Sequence, residues 1–300
     1  MNTDVVVLAA GKGTRMRSER AKVLHQLAGK SLLQHVLDTA QSVNPREIAV
    51  VVGHQAEQVQ ASIAPGPKWV MQEEQRGTGH AVHLGLSALP DDGVVLVLYG
   101  DVPLVTQDTL TRTVEAAVKG TVALVTAHFA DAAQLGRIVR DENGDIRSIV
   151  EFKDASNAQR EIKEINSGIL AAPARLLAPW LAALQPNNAQ GELYLTDVIA
   201  MAVADGVSVT GIEAHAPVEV AGINDRVQLA ELERIYQQNQ AEQLMAQGVS
   251  LADPSRFDLR GKITAGEDCF IDVNVVFEGE VALGRGVRIG PGAVISNSVL

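Results

Sequence analysis

Apolar residues recur every six positions near the end of the chain, at Ile271, Phe277, Leu283, Ile289 and Ile295, with Gly284, Gly290 and Gly292 at the turn positions. An antiparallel hairpin with alternating residues accounts for a period of two but not for a period of six. Hexapeptide repetition is the signature of a left-handed parallel β-helix, in which three repeats close one small triangular coil. Five hexads in phase therefore predict the first coils of such a β-helix over 248–300. The chain reaches Leu300 inside a repeat, without the cap that repeat arrays need. The expectation is a truncated form of a longer protein.

The first 130 residues follow a different rule. Short β-rich runs at Val5–Leu8, Ile48–Val52, Val94–Tyr99 and Val122–Ala127 alternate with helical patterns at Ser31–Gln41, Gln55–Ile63, Thr78–Ala88 and Gln107–Val118. Ser31, Thr78 and Thr106 stand as N-caps. Alternation of this kind implies a mostly parallel, doubly wound α/β sheet with helices on both faces, and ligands in such sheets bind outside the carboxyl ends of the strands. Two loops follow strands directly, Gly11–Arg15 and Tyr99-Gly-Asp-Val-Pro103, so the fold should bring them to one edge.

The first of these loops lies in Leu8-Ala-Ala-Gly-Lys-Gly-Thr-Arg-Met16. Glycines let backbone N–H groups approach an anion, and successive exposed N–H groups form a phosphate-binding concavity. The loop matches neither common nucleotide fingerprint: Met16 occupies the third glycine position of G-x-G-x-x-G, and no G-x-x-x-x-G-K-[ST] fits. Its charge is distinctive. The chain as a whole carries a formal charge of -11, which disfavours a polyanionic partner, whereas residues 11–30 hold six Lys/Arg against Glu19 alone. A local positive field suits a small phosphorylated substrate. An aromatic share of 3% argues against a surface for stacking single-stranded nucleic acid. The single cysteine, Cys269, excludes an intrachain disulfide framework and a Cys-rich metal site. No basic-then-apolar leader and no apolar run of roughly 18 residues is present. The expectation is a cytoplasmic protein with no membrane and no nucleic-acid partner.

Between about 130 and 250 the rhythm changes. Arg137 to Val150 forms two alternating runs around Asn143-Gly144, a strong hairpin signal, and predicts an antiparallel insertion over the pocket. Helical stretches near 174–184 and 194–205 and a strand near 207–213 follow. From Val227 to about Gln247 runs one long helix, whose middle, Gln237-Gln-Asn-Gln-Ala-Glu-Gln243, is polar on all sides. A helix unable to bury a face there should bridge two domains. The domains are expected at 1–226 and 248–300, joined by a linker helix at 227–247.

Several motifs together carry a family resemblance: Leu8–Met16, Lys22-Val-Leu, Gln72-x4-Gly77-Thr-Gly-His80, Tyr99-Gly-Asp-Val-Pro-Leu104, Glu164-Ile-Asn-Ser-Gly168, Asn188-Ala-Gln-Gly-Glu192 and Glu219-Val-Ala-Gly-Ile-Asn-Asp-Arg226. With the hexads they resemble the bacterial bifunctional N-acetylglucosamine-1-phosphate uridylyltransferase/glucosamine-1-phosphate N-acetyltransferase over all 300 residues. The resemblance implies a Rossmann-like nucleotidyltransferase domain, a long linker helix and the start of the β-helix. It implies attack of a sugar-1-phosphate oxygen on the α-phosphorus of UTP, giving UDP-N-acetylglucosamine and pyrophosphate. That product would feed peptidoglycan, lipopolysaccharide and lipid A synthesis. The acetyltransferase site would lie beyond Leu300, and a homotrimer is expected of the full-length protein. Two alternatives stay open: another sugar-1-phosphate nucleotidyltransferase using dTTP or ATP, or a noncatalytic nucleotide-sugar sensor.

Transfer of this kind needs positioning and charge neutralisation more than a covalent nucleophile. Arg15 and Lys22 are the expected catalytic cations, and Gly11, Gly13 and Thr14 the backbone donors. By resemblance Ala10, Gln72, Gly77 and Thr78 contact the uridine, while Gly136, Glu151, Asn166 and Asn224 contact N-acetylglucosamine 1-phosphate. Leu8, Ala9, Tyr99 and Gly100 complete the substrate-binding set. Also by resemblance, Asp101 and Asn224 hold Mg²⁺. Plainer readings exist for several: a turn cap before Pro103 for Asp101, an Asx-turn starting the linker helix for Asn224, a solvated strand-end residue for Glu151. The chain departs from the family at Ala21, where a proline is usual and a looser loop is expected, and at Ser167, where threonine is usual. His80 and His83 read as packing residues, Trp69 and Trp180 as core or interface, and Cys269 as an inert thiol.

Overall fold

The computed structural model describes residues 2–300. The chain divides into two compact units. One holds the residues up to Leu24 together with Leu33–Gly222, and the other holds His25–Leu32 and Ile223–Leu300. No helix among the described residues is long and apolar enough to cross a membrane.

In chain order the first elements are β1 (Thr3–Ala9), then β2 (Gln26–Leu27) and β3 (Lys30–Ser31), which form a small ribbon in the second unit. They are followed by α1 (Leu32–Gln41), β4 (Glu47–Val52), α2 (Ala56–Ser62), β5 (Lys68–Met71), α3 (Thr78–Ser87), β6 (Val94–Tyr99), α4 (Gln107–Val118) and β7 (Val122–His128). Then come β8 (Arg137–Arg140), β9 (Ile146–Val150), α5 (Asn157–Arg160), β10 (Glu164–Pro173), α6 (Ala174–Ala183), α7 (Asp197–Ala204) and β11 (Val209–Glu213). The main sheet has the order β11-β7-β10-β6-β1-β4-β5. Strand β1 lies parallel to both β4 and β6, so the chain winds away from it first on one side and then on the other. That reversal is a topological switch point, where open α/β sheets bind ligands.

The alternation of β1 shows how the sheet is buried on both faces. Val5, Val7 and Ala9 enter one core with Leu33 and Val36 of α1, Val59 of α2 and Leu110 of α4. Val6 enters the other, with Val82 and Leu86 of α3, Leu177 and Trp180 of α6 and Ile199 of α7. Period-2 burial on two helical layers explains why these strands read as continuous apolar runs.

Several expectations change here. Strand β10 runs antiparallel to both β6 and β7, so the sheet is mixed, and β5 extends it on the other edge. The β8–β9 hairpin forms, with Asp141 O accepting the Gly144 N–H at 3.0 Å and the Asp141 carboxylate accepting from Asn143 and Asp145. None of its residues lines the pocket, and Arg137 pairs with Ile165, which makes the hairpin a side branch of β10. Of the expected N-caps Thr106 acts as one, accepting from Thr109 N–H at 3.3 Å, and Thr78 does not. Ser31 ends β3, and Thr78 is the first helical residue after Gly77.

In the second unit, Asp225 caps α8 (Arg226–Ala246) by accepting from Val227 and Gln228 N–H, both at 2.9 Å. After it come β12 (Ser250–Leu251), β13 (Phe257–Ala265), β14 (Phe270–Ile271), β15 (Val275–Leu283), β16 (Arg288–Ile289) and β17 (Val294–Ser296). All pair in parallel, β12-β14-β16 and β13-β15-β17. The registers Phe257↔Val275, Ile271↔Ile289 and Phe277↔Ile295 are each offset by three hexads, one coil of the left-handed β-helix. Ile271, Phe277, Leu283 and Ile289 are buried in its core with Phe257, and Ile295 packs against them. Cys269 is also buried there, its Sγ 3.0 Å from Gly284 O.

The middle of α8 does bury a face, contrary to the reading of a helix polar on all sides. Gln237, Ala241 and Leu244 are buried, and the Gln237 amide binds both backbone groups of Leu259: Nε2 donates to its carbonyl at 2.9 Å and Oε1 accepts its N–H at 2.7 Å. The glutamine takes the place of a neighbouring strand.

Candidate active site

The carboxyl ends of β1 and β6 meet beside one pocket of about 350 Å³. Leu8 and Tyr99 are paired in register, and Gly100 N–H donates to Leu8 O at 2.9 Å, so the glycine loop and the Tyr99–Asp101 turn share one edge as expected. Ten expected residues line the pocket: Leu8, Ala9, Ala10, Gly11, Lys22, Gln72, Gly77, Thr78, Tyr99 and Asp101. Gly100 is buried directly beneath them.

The loop owes its shape to Gly13 and Met16. Gly13 has φ +58, a left-handed conformation, and a Cβ there would come within 2.6 Å of Lys22 Cβ. The short 3-10 turn Thr14–Met16 follows, with Met16 buried as its anchor at the position where a dinucleotide fingerprint has glycine. Thr14 and Arg15 are exposed on this turn, outside the pocket lining, and the Arg15 guanidinium has no protein partner among the described residues. Lys22 opens a second 3-10 turn whose Val23 and Leu24 are buried. Its ammonium contacts Asp101 Oδ2. Asp101 is therefore a partner of the loop cation. Ala21 does not loosen this turn, because its N–H donates to Gln58 Oε1 at 2.8 Å, a bond that proline could not make.

The opposite wall is built from the segment after β5. Gln72 is buried, and its Nε2 donates to Gly77 O at 3.2 Å. His80 Nδ1 stands 3.1 Å from Glu74 O and 3.2 Å from Gln72 Nε2, so in one tautomer it donates to the carbonyl and in the other it accepts from the amide, and either way the histidine has local structural partners. Gly77 (φ +114) allows a close approach of the 188–193 loop: a Cβ would lie 2.6 Å from Leu193 O. Leu193 N–H donates to Arg76 O at 2.7 Å and Gly79 N–H to Leu193 O at 2.8 Å, which fixes that approach. The Thr78 hydroxyl accepts Leu195 N–H at 3.1 Å, and the Tyr99 phenol lines the same pocket. Burial, then the Glu151 and Asp101 carboxylates, pushes that phenol far above its usual range, so it remains a hydrogen-bond donor.

Gly136, Glu151 and Asn166 lie outside the pocket lining and form a second group. Asn166 N–H donates to Gly136 O at 2.9 Å, and a Cβ on Gly136 would be 3.4 Å from Glu151 Oε2. Glu151 is not merely a solvated strand end: its Oε1 accepts from Thr196 Oγ1 at 3.2 Å. Burial, opposed by that hydroxyl and aided by Asp154 and Asp197, raises its carboxyl above the usual range. The β10 register shifts between Asn166 and Leu170, and Gly168 at this bulge meets the Tyr99 ring, where an added Cβ would come within 2.5 Å of it. Tyr99 thus touches both groups. Asn224 belongs to the second unit, and its N–H donates to Gln228 Oε1 at 2.8 Å. The next residue, Asp225, is the N-cap of α8.

Four lining residues escaped the sequence reading: Val23, Gln75, Ala81 and Glu192. Gln75 Nε2 donates to Ala10 O at 2.6 Å and so ties the two walls together. Gln75 and Glu192 both sit inside quoted motifs, but no spacing rule separates them from their neighbours. Among the described residues no group of three or more His, Cys, Asp or Glu could hold a metal by itself.

A glycine loop, a half-buried cation and a carboxylate at the switch point of a mostly parallel sheet define a nucleotidyltransferase. The chain belongs to the family of the MobA-like NTP transferase domain, which it matches over residues 5–250, and residues 266–297 match the bacterial transferase hexapeptide of six repeats. It is 54% identical over 301 aligned residues to "Bifunctional protein GlmU" of Pseudomonas putida (strain GB-1), covering 100% of this chain and 66% of the relative. It is 55% identical to the protein of the same name from Alkalilimnicola ehrlichii, covering 99% and 64%, and 52% identical to that of Neisseria meningitidis, covering 98% and 64%. The chain thus spans about two thirds of the length of these relatives, slightly less in each case. Among solved structures, a UDP-glucose pyrophosphorylase complexed with UDP-glucose aligns with TM-score 0.66 at 15% identity, covering 80% of this chain and 100% of that one. At that identity the likeness shows the fold. Enzymes of this class work with a divalent metal.

Proposed function

We propose that the chain transfers UMP from UTP to N-acetylglucosamine 1-phosphate, releasing pyrophosphate, in the presence of Mg²⁺. The observation that carries this reading is the contact of Lys22 with Asp101 beneath the Gly11–Gly13 loop, in a pocket whose far wall offers neutral amides and hydroxyls. The choice of uracil and N-acetylglucosamine rests on the motif resemblance and on the relatives. The two thirds of their length present here contain the whole of the NTP transferase match.

In this reaction an oxygen of the sugar phosphate forms a bond to the α-phosphorus of UTP as the bond to the β-phosphate oxygen breaks. Lys22 and Arg15 neutralise charge on the triphosphate, and the N–H groups of Gly11 and Gly13 bind its oxygens. Gln72, with its amide nitrogen committed to Gly77, presents its carbonyl oxygen to the imide N–H of the base. Neutral partners suit this end of the pocket because an unpaired buried charge would be costly. Glu151 and Asn166 accept and donate hydrogen bonds on the sugar side. A carboxylate that is only partly exposed, as Asp101 is at 15%, fits Mg²⁺, which binds through one or two protein oxygens plus phosphates and waters. When bound, the metal would supply charge neutralisation at the phosphates, held by Asp101.

Incubation with UTP, N-acetylglucosamine 1-phosphate and Mg²⁺ should release pyrophosphate, and a panel with dTTP, ATP and glucose 1-phosphate should give much lower rates. No release above a no-enzyme control would overturn the proposal, and a preference for another pair of substrates would reassign the specificity.

A further inference from the structure

Arg137, the first residue of β8, is only 2% exposed, and no carboxylate among the described residues pairs with it. Its guanidinium donates to backbone carbonyls instead. Nη1 bonds Ala132 O at 3.2 Å and also Leu135 O, Nη2 bonds Ala133 O at 2.9 Å, and Nε and Nη2 each reach Arg160 O at 3.4 Å. Its Cζ stands 5.6 Å from the centroid of the Phe152 ring, which also carries the Arg160 guanidinium at 4.7 Å. A buried cation is costly unless its donors are satisfied, and four carbonyls with an aromatic face satisfy this one.

These bonds wrap residues 132–135 around one side chain and clasp them to the segment 152–160. The two segments adjoin Gly136 and Glu151, and Gly136 O in turn receives Asn166 N–H. Three of the four residues expected at the sugar phosphate, Gly136, Glu151 and Asn166, are therefore tied by chain adjacency or a backbone hydrogen bond to segments that one side chain outside the pocket holds together. We propose that Arg137 is a positioning residue for the sugar-phosphate substrate, fixing Gly136, Glu151 and Asn166 without touching it. The inference rests on the function proposed above. Lysine cannot substitute, because a single ammonium with three donors does not span four carbonyls and stack on a ring.

The test compares wild type, Arg137→Lys and Phe152→Leu by steady-state kinetics in each substrate and by calorimetric binding of N-acetylglucosamine 1-phosphate. Arg137→Lys should raise KM for the sugar phosphate about tenfold and weaken its binding in parallel, with KM for UTP within about twofold of wild type. Phe152→Leu should move the same constant in the same direction by a smaller factor, and it keeps the test open should Arg137→Lys fold poorly. Equal rises in both KM values, or an unchanged sugar-phosphate KM in both variants, would overturn the inference while leaving the function standing. A wild-type chain inactive with these substrates would instead overturn the function, and this proposal with it.

Discussion

Lys22 places its ammonium against the Asp101 carboxylate, with both side chains about 15% exposed, although 79 positions separate them in the chain. The contact joins the loop after β1 to the turn after β6. It follows from three local causes: Val23 and Leu24 anchor the Lys22 turn in the core, Gly13 makes room for the Lys22 stem, and the Leu8↔Tyr99 register brings the two strand ends level. In the free protein Lys22 and a metal ion would compete for Asp101. Substrate phosphate offers the ammonium an alternative partner. Lys22→Met should accordingly strengthen Mn²⁺ binding to the nucleotide-free protein several-fold, read by electron paramagnetic resonance, while lowering pyrophosphate release by about a hundredfold or more. Unchanged Mn²⁺ affinity would mean that the pair does not restrain the carboxylate.

Gly13 and Gly11 make different predictions for stability although both belong to one loop. Gly13→Ala puts a side chain in the left-handed region and within 2.6 Å of Lys22 Cβ, so strain of about 1–2 kcal/mol is joined by displacement of the cation. Gly11→Ala meets nothing within 4 Å. Thermal unfolding should show a lower midpoint for Gly13→Ala and an unchanged one for Gly11→Ala. Both should lose activity, the second because its Cβ enters the space of the phosphates.

Much of this site was legible because strand ends and glycine loops advertise themselves in sequence. The apolar runs at β1, β4, β6 and β7 are buried on both faces, which makes them continuous, and the residues that follow them must lie at one sheet edge. Features that depend on partners distant in the chain were not legible. Strand β10 carries the Asn166 motif and reads locally like any apolar run; its antiparallel direction comes from pairing with β6 and β7. Arg137 looks like a solvated strand residue until the loop that wraps it is seen. The cap of α8 shows the finer limit: Asn224 and Asp225 are adjacent and chemically alike, and only backbone geometry assigns the cap to Asp225.

Glu151 gives a pH test with a defined sign. Its folded-state carboxyl is raised chiefly by burial, with Asp154 and Asp197 adding to the effect and Thr196 opposing it. A raised carboxyl favours the folded state below the unfolded value, and this contribution is lost as pH rises through the folded value. Glu151→Gln, neutral at every pH, should therefore unfold at a higher temperature than wild type by a few degrees near pH 8, and the gap should close as pH falls toward 4. Activity should move the other way. Wild-type turnover should fall on the acid side at a pH above that of an ordinary glutamate, and the variant should show a low rate without that inflection. A gap in unfolding temperature that widens toward acid would contradict the assignment.

Gln237 tests the second unit apart from any chemistry. Its amide meets the N–H and the C=O of Leu259, and Nε2 also reaches Glu233 Oε1 at 2.9 Å. Glu233 Oε2 in turn accepts the N–H of Ala28, a residue held at φ 51 in the β2–β3 turn. Replacing Gln237 by leucine keeps the volume and leaves both Leu259 groups without their partners, at a cost of about 2–4 kcal/mol for two buried groups. Gln237→Glu is the sharper variant: a carboxylate still accepts from Leu259 N–H but presents a second acceptor to Leu259 O and a like charge to Glu233. It should destabilise at least as much as leucine at pH 8 and recover part of the loss near pH 5, where a protonated carboxyl donates again. Denaturant unfolding followed at both pH values distinguishes the cases. If leucine proved neutral, the helix would be held by Ala241 and Leu244 alone, and the glutamine would be a passenger in the core.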